Sequence, residues 1–189
     1  MELFIKDTEF MNTISSLENT TVVVTGATGF IGSHLVDYLI EHGCIVHALV
    51  RETSDRRWLN KSDQVKVHTV DLLKNSPINC LQKADYLFHC AGLTKAKTRD
   101  DYFSGNVDSC EMLYERCVSI GANLKAIVHL SSLAAAGPSI MGEPAQEKNS
   151  CKPVTYYGES KLAGEKIALK YSSSLPIVII RPPVVYGPR

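Results

Sequence analysis

A glycine-rich segment at residues 25–32, Thr-Gly-Ala-Thr-Gly-Phe-Ile-Gly, constrains the fold of this chain more than any other feature. It follows a β-branched run and opens a stretch whose apolar residues recur at three and four positions. Gly26 permits a tight turn, Gly29 lets backbone approach a pyrophosphate, and Gly32 allows a helix to pack closely on a strand. The spacing is G-x-x-G-x-x-G rather than G-x-G-x-x-G. With a strand before it and a helix after it, the segment predicts dinucleotide binding rather than a merely structural turn.

The rest of the chain alternates short β-branched runs with longer segments of helical periodicity. This alternation is typical of βαβ units around a parallel sheet. We therefore predict an α/β fold: a Rossmann-like, doubly wound parallel sheet with helices on both faces. Strands are predicted at 21–25, 44–50, 64–70, 86–90, 126–131 and 177–180, helices at 30–42, 101–120 and 155–171, and a loop beside the site at 137–153.

Charge and hydropathy exclude several classes of partner. The chain has 189 residues, with 20 Lys and Arg against 20 Asp and Glu, so no overall field attracts nucleic acid or an anionic membrane. The apolar runs are far shorter than the roughly 20 residues that span a bilayer. Residues 1–20 contain acidic side chains and no continuous apolar core, unlike a secretory signal. We expect a cytoplasmic protein whose partner is a small-molecule substrate.

The cysteines and the N-terminal residues have plain interpretations. The six cysteines are scattered, without a C-x-x-C pair, and no histidines cluster at metal-ligand spacing, so we expect reduced thiols and no bound metal. Residues 1–20 form an N-terminal extension, which packing or disorder explains better than a recognition role. Residues 21–189 form the predicted dinucleotide-binding domain.

Residues after the second and third predicted strands bear on the choice between NAD and NADP. Arg51 ends the second strand, and an arginine there suits a 2′-phosphate, so NADP(H) is slightly favoured over NAD(H). If Arg51 is only solvated, Glu52 could hold the ribose hydroxyls instead, which would favour NAD. Asp71, followed by Leu72, could accept a hydrogen bond from the adenine amino group.

Two further motifs could supply acid/base chemistry. Tyr157 and Lys161 are four residues apart, hence on one face of a predicted helix, and a nearby cation favours the ionised form of a phenol. Ser131 and Ser132 end an apolar strand at the edge where open α/β sheets bind ligands. A hydroxyl there could orient a substrate oxygen for proton transfer with Tyr157.

In this order, the motifs resemble those of the extended short-chain dehydrogenase/reductase family, which includes the NAD-dependent epimerase/dehydratases. The resemblance covers residues 21–188. It rests on TGATGFIG at 25–32, HCAG at 89–92, Asn106-Val107, the serine pair 131–132, YxxxK at 157–161 and RPPVVYGP at 181–188.

The resemblance implies specific roles. Tyr157 would be the acid/base, Lys161 would hold the nicotinamide ribose and assist Tyr157, and Ser132, with Ser131 as second choice, would hydrogen-bond the reacting oxygen. Asn106 would link a helix to a strand. The residues expected near the cofactor are Gly26, Thr28, Gly29, Phe30, Ile31, Gly32, Arg51, Asp71, Leu72, Ala91, Gly92, Thr94, Ser131, Tyr157, Lys161, Pro182 and Val184.

The family also implies an activity: NAD(P)-dependent hydride transfer to or from a carbinol or ketone carbon, with epimerisation of a nucleotide sugar as the first expectation. The alternatives are a ketone reductase or hydroxyl dehydrogenase similar to dihydroflavonol reductase or hydroxysteroid dehydrogenase, and a non-catalytic dinucleotide-sensing module. Relatives often dimerise through a four-helix interface, so a homodimer is possible.

Two departures from the family pattern narrow these expectations. Leu133 and Ala134 stand where 4,6-dehydratases carry acidic residues, which disfavours dehydration, and Ala136-Gly137 replaces an aromatic-glycine pair, which leaves room for a more apolar substrate. Family members continue past the RPxxVYGP motif into a smaller substrate domain. We therefore expect this chain to hold the cofactor half and to lack most of that second domain.

Overall fold

The structure is a computed structural model that describes residues 17–74, 76–139, 144 and 146–189. Six strands form one parallel sheet in the order β3-β2-β1-β4-β5-β6. This order confirms the predicted doubly wound sheet. From β1 the chain adds β2 and β3 on one side of the sheet and then returns to add β4, β5 and β6 on the other side. The strands are β1 Thr21–Thr25, β2 Ile45–Val50, β3 Val65–Thr69, β4 Tyr86–His89, β5 Ala126–Leu130 and β6 Ile177–Ile180.

Helices connect the strands on both faces of the sheet. The α-helices are α1 Phe30–Glu41, α2 Arg99–Phe103, α3 Ser109–Ser119 and α4 Tyr156–Tyr171. A π-helical turn, Ser104–Asp108, joins α2 to α3, and two short 3-10 helices cover Asn79–Lys83 and Leu133–Ala135. The other strand and helix bounds agree with the sequence prediction within one or two residues, but the helix predicted at 101–120 differs and neither 3-10 helix was predicted.

The helix predicted at 101–120 begins earlier and is interrupted. Thr98 caps α2 by accepting a hydrogen bond from the Asp101 N–H, and the Asp101 carboxylate accepts one from the Thr98 N–H in return. The π-helical turn then inserts an extra residue where Asn106 points inward to bond the backbone of Leu93. Periodicity alone could not indicate this interruption, because its cause is a contact with a distant loop.

Two apolar layers pack on the sheet. On the α1 side, Val22 and Val24 of β1 meet Val36 and Leu39 of the helix. On the other side, Leu87 of β4 packs with residues of α3 and with the first 3-10 helix. Because the central strands are covered on both faces, their sequences read as nearly continuous apolar runs.

Helix α4 does not pack as its apolar residues suggested. The sequence offers Leu162, Ala163, Ile167 and Leu169 for packing, but Leu169 is 61% exposed and only Ile167 joins the core margin. The buried face consists instead of small and polar residues: Gly158, Ser160, Lys161, Gly164, Glu165 and Ala168. The glycines let the helix approach closely, since a Cβ at Gly164 would lie 2.7 Å from the Asn106 carbonyl oxygen.

The extension predicted at residues 1–20 falls mostly outside the described residues. Leu17 packs on the α1-side core, and the Thr20 hydroxyl donates to the Leu17 carbonyl at 2.7 Å. Within the described part of the chain, no helix combines the length and the apolar character needed to cross a bilayer.

Truncation of the buried Leu87 tests the packing of the central sheet. Leu87 is fully buried on β4, so Leu87→Ala should lower the free energy of unfolding by about 2–5 kcal/mol. Leu169→Ala removes the same atoms from a largely exposed position and should change it by less than about 0.5 kcal/mol. Urea unfolding followed by circular dichroism measures both, and equal losses would contradict the two-layer core.

Candidate active site

A cavity of about 520 Å³ opens at the carboxyl ends of β1, β2 and β4. This is the switch point of the sheet, where doubly wound folds bind ligands. Its volume lies in the range of small-molecule sites. Eight of the residues predicted to contact a cofactor line it: Gly26, Thr28, Gly29, Arg51, Asp71, Leu72, Ala91 and Gly92.

The glycine turn is packed too tightly for side chains. Gly26 has a φ of +65°, and a Cβ on it would lie 2.7 Å from the Ala91 backbone nitrogen. A Cβ on Gly32 would lie 2.2 Å from the Gly26 carbonyl oxygen. The turn is closed by the Gly29 N–H, which donates to the Gly26 carbonyl at 2.9 Å. Two of the three glycines are therefore required by backbone contacts, as the spacing predicted.

The first turn of α1 begins directly behind the glycine turn. Gly29 is the N-cap and has no side chain to cap the helix, so the N–H groups of Phe30 and Ile31 are open to an anion. Phe30, Ile31 and Gly32 are not among the described residues that line the cavity. A glycine cradle beside an uncapped helix start fits the pyrophosphate of a dinucleotide.

Thr25 is a site residue that the sequence analysis did not single out. Its hydroxyl oxygen accepts a hydrogen bond from the Ala91 N–H at 3.1 Å and lies 2.8 Å from His89 Nδ1. These bonds fix the end of β4 against the end of β1, where the cavity opens. Its place at the start of the glycine motif was the available signal.

The second predicted specificity region lies at the end of β2. Arg51 lines the cavity, and its backbone N–H donates to the Ser54 hydroxyl at 3.0 Å. Asp55 also lines the cavity, but its carboxylate accepts from Arg57 at 2.6 Å. Among the described residues, Glu52 is not part of the wall. Among the described residues that line the cavity, Arg51 is the only lysine or arginine.

The loop after β3 forms the far wall. The Asp71 carboxylate accepts from the Leu73 N–H at 3.1 Å and lies 3.6 Å from Lys74. The buried Arg116 of α3 donates to the Leu72 carbonyl at 3.1 Å and to that of Lys74. Arg116 thus holds this loop from below, a role that α3 periodicity could not reveal.

Lys161 connects helix α4 to the cavity. Its Nζ is buried and donates to the Leu130 carbonyl at 2.6 Å, and a Cβ on Gly92 would lie 3.6 Å from the same nitrogen. Burial lowers the pKa of the ammonium, while Cys110 and Glu165 oppose that shift. The cation therefore stands at the edge of the cavity, one helical turn after Tyr157.

Tyr157 precedes Lys161 by one turn on α4, and Ser132 follows β5, whose Leu130 carbonyl accepts the Lys161 hydrogen bond. The Tyr157 ring lies 6.1 Å from that of Tyr102, whose hydroxyl donates to the Thr94 carbonyl at 3.4 Å. Ser132 caps the second 3-10 helix, and its hydroxyl oxygen accepts from the Ala134 N–H at 3.2 Å. Because the hydroxyl accepts in that bond, its own hydrogen can be donated to a ligand.

Ser131 points away from this group. It is buried, and its hydroxyl donates to the Glu165 carboxylate at 2.5 Å. Arg181 donates to both oxygens of the same carboxylate, at 2.8 and 2.6 Å. Burial alone would raise the pKa of Glu165, but these hydrogen bonds and the Arg181 charge outweigh it and lower the pKa. Of the two serines, the structure leaves Ser132 as the one suited to a substrate.

The segment after β6 borders the serine pair. The Pro182 carbonyl accepts from the Leu133 N–H at 3.0 Å, which places the predicted Pro182 beside the Ser132 turn. Val184 follows two residues later and is 86% exposed. Thr94, Ser131, Ser132, Tyr157, Lys161, Pro182 and Val184 all lie beyond the cavity wall as the described residues form it.

Asn106 makes the predicted link between helix and strand end. Its side-chain oxygen accepts from the Leu93 N–H at 2.6 Å, and its nitrogen donates to the Leu93 carbonyl at 3.0 Å and to the Ser160 hydroxyl at 2.9 Å. Through these bonds the π-helical turn ties the loop after β4 to helix α4.

Comparison with known proteins shows which family this chain belongs to. The profile of the NAD dependent epimerase/dehydratase family matches residues 22–189. A ceramide reductase of Caulobacter vibrioides is 34% identical over 168 residues, covering 88% of this chain and 47% of that protein. A UDP-glucose 4-epimerase of Vibrio cholerae is 30% identical over 181 residues, covering 89% of this chain and 52% of that protein.

Solved structures show the same architecture. The UDP-glucuronic acid 4-epimerase from Bacillus cereus, in complex with NAD, superposes with a TM-score of 0.79 at 28% identity, covering 90% of this chain and 58% of that one. The chain thus spans about half the length of the relatives it matches.

Two glycines with the same left-handed backbone conformation allow the role of the glycine turn to be tested. Gly26 and Gly121 have φ of +65° and +62°, so alanine at either position should cost about 1–2 kcal/mol of stability. Only at Gly26 would the new Cβ meet backbone, because Gly121 has no heavy atom within 4 Å of that position. Gly26→Ala should weaken binding of NADH or NADPH at least about tenfold in calorimetry, and Gly121→Ala should leave it unchanged. Equal affinities would place the dinucleotide elsewhere.

Proposed function

The chain belongs to the NAD-dependent epimerase/dehydratase family, and from that premise we propose that residues 21–189 are the NAD(P)-binding part of an enzyme that transfers hydride to or from a carbinol or ketone carbon. The observation that carries the proposal is the position of the buried Lys161 ammonium. It lies beside Gly92 at the cavity edge and one helical turn from Tyr157. A buried cation is costly, and perturbed ionisable groups of this kind cluster at functional sites.

The cofactor would lie with its pyrophosphate on the glycine turn. The N–H groups of Phe30 and Ile31 would receive the phosphates, and Arg51 and Asp71 would face the adenosine half. Ala91 and Gly92 would then pass beneath the nicotinamide half, toward Lys161. When bound, the nicotinamide supplies or accepts the hydride.

The protein side chains would handle the proton. Tyr157 would exchange it with the reacting oxygen, because its phenol can both donate and accept a proton and lies one helical turn before Lys161 on α4. Ser132 would donate its hydroxyl hydrogen to the same oxygen and orient it. Lys161 would also bond the nicotinamide ribose, exchanging its present contact with the Leu130 carbonyl.

A nucleotide sugar is the substrate class that we propose first. Its support is that two of the compared proteins are a UDP-glucose 4-epimerase and a UDP-glucuronic acid 4-epimerase. An epimerase of this kind returns the hydride to the opposite face of the same carbon, so the cofactor undergoes no net change.

An apolar ketone or alcohol is the second candidate. The residues that follow Ser132 favour it: Leu133 is 45% exposed, and Ala134 and Ala136 have small apolar side chains. The ceramide reductase is the relative with the higher identity of the two described above. A reductase would consume reduced cofactor, and Arg51 in the cavity wall would suit NADPH.

Cofactor preference should follow Arg51. The single tryptophan, Trp58, lies in the loop after β2, so energy transfer to a reduced nicotinamide reports binding. We expect tighter binding of NADPH than of NADH, and Arg51→Gln should weaken NADPH about 10- to 100-fold while sparing NADH. The control is Arg57→Gln, since Arg57 is already paired with Asp55. Tighter binding of NADH would instead favour Glu52 or a neighbour and the epimerase.

Catalysis should depend on Tyr157 and not on its neighbour. In any preparation containing these residues that turns over a UDP-hexose or an apolar ketone, Tyr157→Phe should lower kcat by at least about 100-fold. Cofactor affinity should be unchanged, because the ring remains. Tyr156→Phe is the matched control, since Tyr156 is 57% exposed on the same turn. Full turnover by Tyr157→Phe, with cofactor still bound, would mean that another group acts as the acid.

A further inference from the structure

Three side chains that are distant in sequence meet on one face of the sheet, away from Lys161. His47 lies on β2, His68 on the neighbouring β3, and Cys80 on the first 3-10 helix, which covers that face. All three are half-buried. The register pairs Leu49 with His68, so the two histidines lie diagonally across adjacent strands on the same side.

The ligand atoms of this cluster converge. His47 Nδ1 lies 2.8 Å from His68 Nε2, and one potential ligand atom from each of the three residues lies within 4.8 Å of the other two. The imidazole rings are nearly parallel, with an interplanar angle of 20°. Two nitrogens at hydrogen-bond distance from each other and a sulfur are therefore gathered between β2, β3 and the 3-10 helix.

This donor set and geometry match those of a zinc-type cation. Zn–N bonds of about 2.0–2.1 Å in a tetrahedral site place two nitrogens about 3.3 Å apart, so the histidines would separate by only about half an ångström. Three protein ligands leave a fourth position, which the partial exposure of the cluster opens to water. We propose that His47, His68 and Cys80 form a binding site for a zinc-class divalent cation.

A second histidine–cysteine cluster, His89, Cys110 and His129, does not carry the same inference. All three residues are fully buried, which leaves no path for an ion to enter. His89 already contacts Thr25 and Cys110, and the Cys110 thiol donates to the Asn106 carbonyl. His129 Nδ1 lies 2.7 Å from the Tyr114 hydroxyl. These bonds occupy both ring nitrogens of His89, the Cys110 thiol and His129 Nδ1, while His129 Nε2 is buried without a hydrogen-bond partner among the described residues.

A cation at the first cluster would brace the weakest side of the sheet. β3 is an edge strand paired only with β2. The 3-10 helix that carries Cys80 also carries Leu81, which belongs to the same apolar layer as the cavity residues Leu49 and Leu72. The cation would join strand, neighbour and covering helix just behind the adenosine end of the cavity.

Zinc titration of the metal-stripped chain tests the site. Competition with a chromophoric chelator should give one tightly bound Zn²⁺, and saturation should raise Tm by several degrees. Cys80→Ser and His68→Gln should each weaken binding at least about 100-fold. Cys151→Ser is the matched control, because Cys151 is a half-buried free thiol outside the cluster. Unchanged affinity in Cys80→Ser, or loss in Cys151→Ser, would overturn the proposal.

Cobalt substitution tests the same site without any mutation. Co²⁺ bound to the wild-type chain should show a thiolate-to-metal charge-transfer band and the intense visible absorption of tetrahedral coordination. A spectrum of weak octahedral bands, without charge transfer, would refute the proposal even if the variants failed to fold. Dinucleotide affinity, measured separately, reports on the proposed function, so the two proposals fail independently.

Discussion

The contact between the glycine turn and the end of β4 determines where everything else in this site can lie. Gly26 has a left-handed backbone conformation, and its α-carbon lies so close to Ala91 that no side chain fits between them. Thr25 fastens the same junction through the Ala91 N–H. The order of strands along the chain switches from one side of β1 to the other at β4. This packing therefore lies at the switch point, where it forms part of the cavity wall.

Helix α4 brings the proposed chemistry to the edge of that cavity by burying polar groups. A helix normally packs with its apolar stripe, but α4 turns Lys161 and Glu165 inward and leaves Leu169 in solvent. Each buried charge has partners: Lys161 bonds the Leu130 carbonyl, and Glu165 bonds Ser131 and Arg181. Removing one partner of such a pair would leave an uncompensated buried charge, which is why the arrangement fixes the helix so firmly.

In the proposed enzyme, the cavity would bind the cofactor, and residues on and beside α4 would carry out proton transfer. The cavity residues are suited to the phosphates and adenosine, where backbone N–H groups and Arg51 can act. The proposed catalytic residues, Tyr157 and Ser132, are not among the described residues that line the cavity, and Ser132 precedes Leu133, whose N–H bonds the Pro182 carbonyl.

The sequence alone determined the sheet and the motifs, because both depend on local patterns. β-branched runs, helical periodicity and glycine spacing predicted the six strands and the turn on which the dinucleotide site rests. The serine pair and the Tyr157–Lys161 spacing were equally local. What they could not separate was Ser131 from Ser132, since only the packing of α4 shows that Ser131 serves Glu165.

Tertiary structure decided the contacts between residues that are far apart in sequence. The π-helical turn exists because Asn106 must reach Leu93 and Ser160, and Arg116 holds a loop that no helical pattern could connect to it. The sequence predicted no metal ligands, because His47, His68 and Cys80 are far apart along the chain. They meet only when the parallel strands pair and the 3-10 helix packs over them. Local sequence encodes the elements through backbone preference and burial, but the distances between side chains are set by how those elements pack.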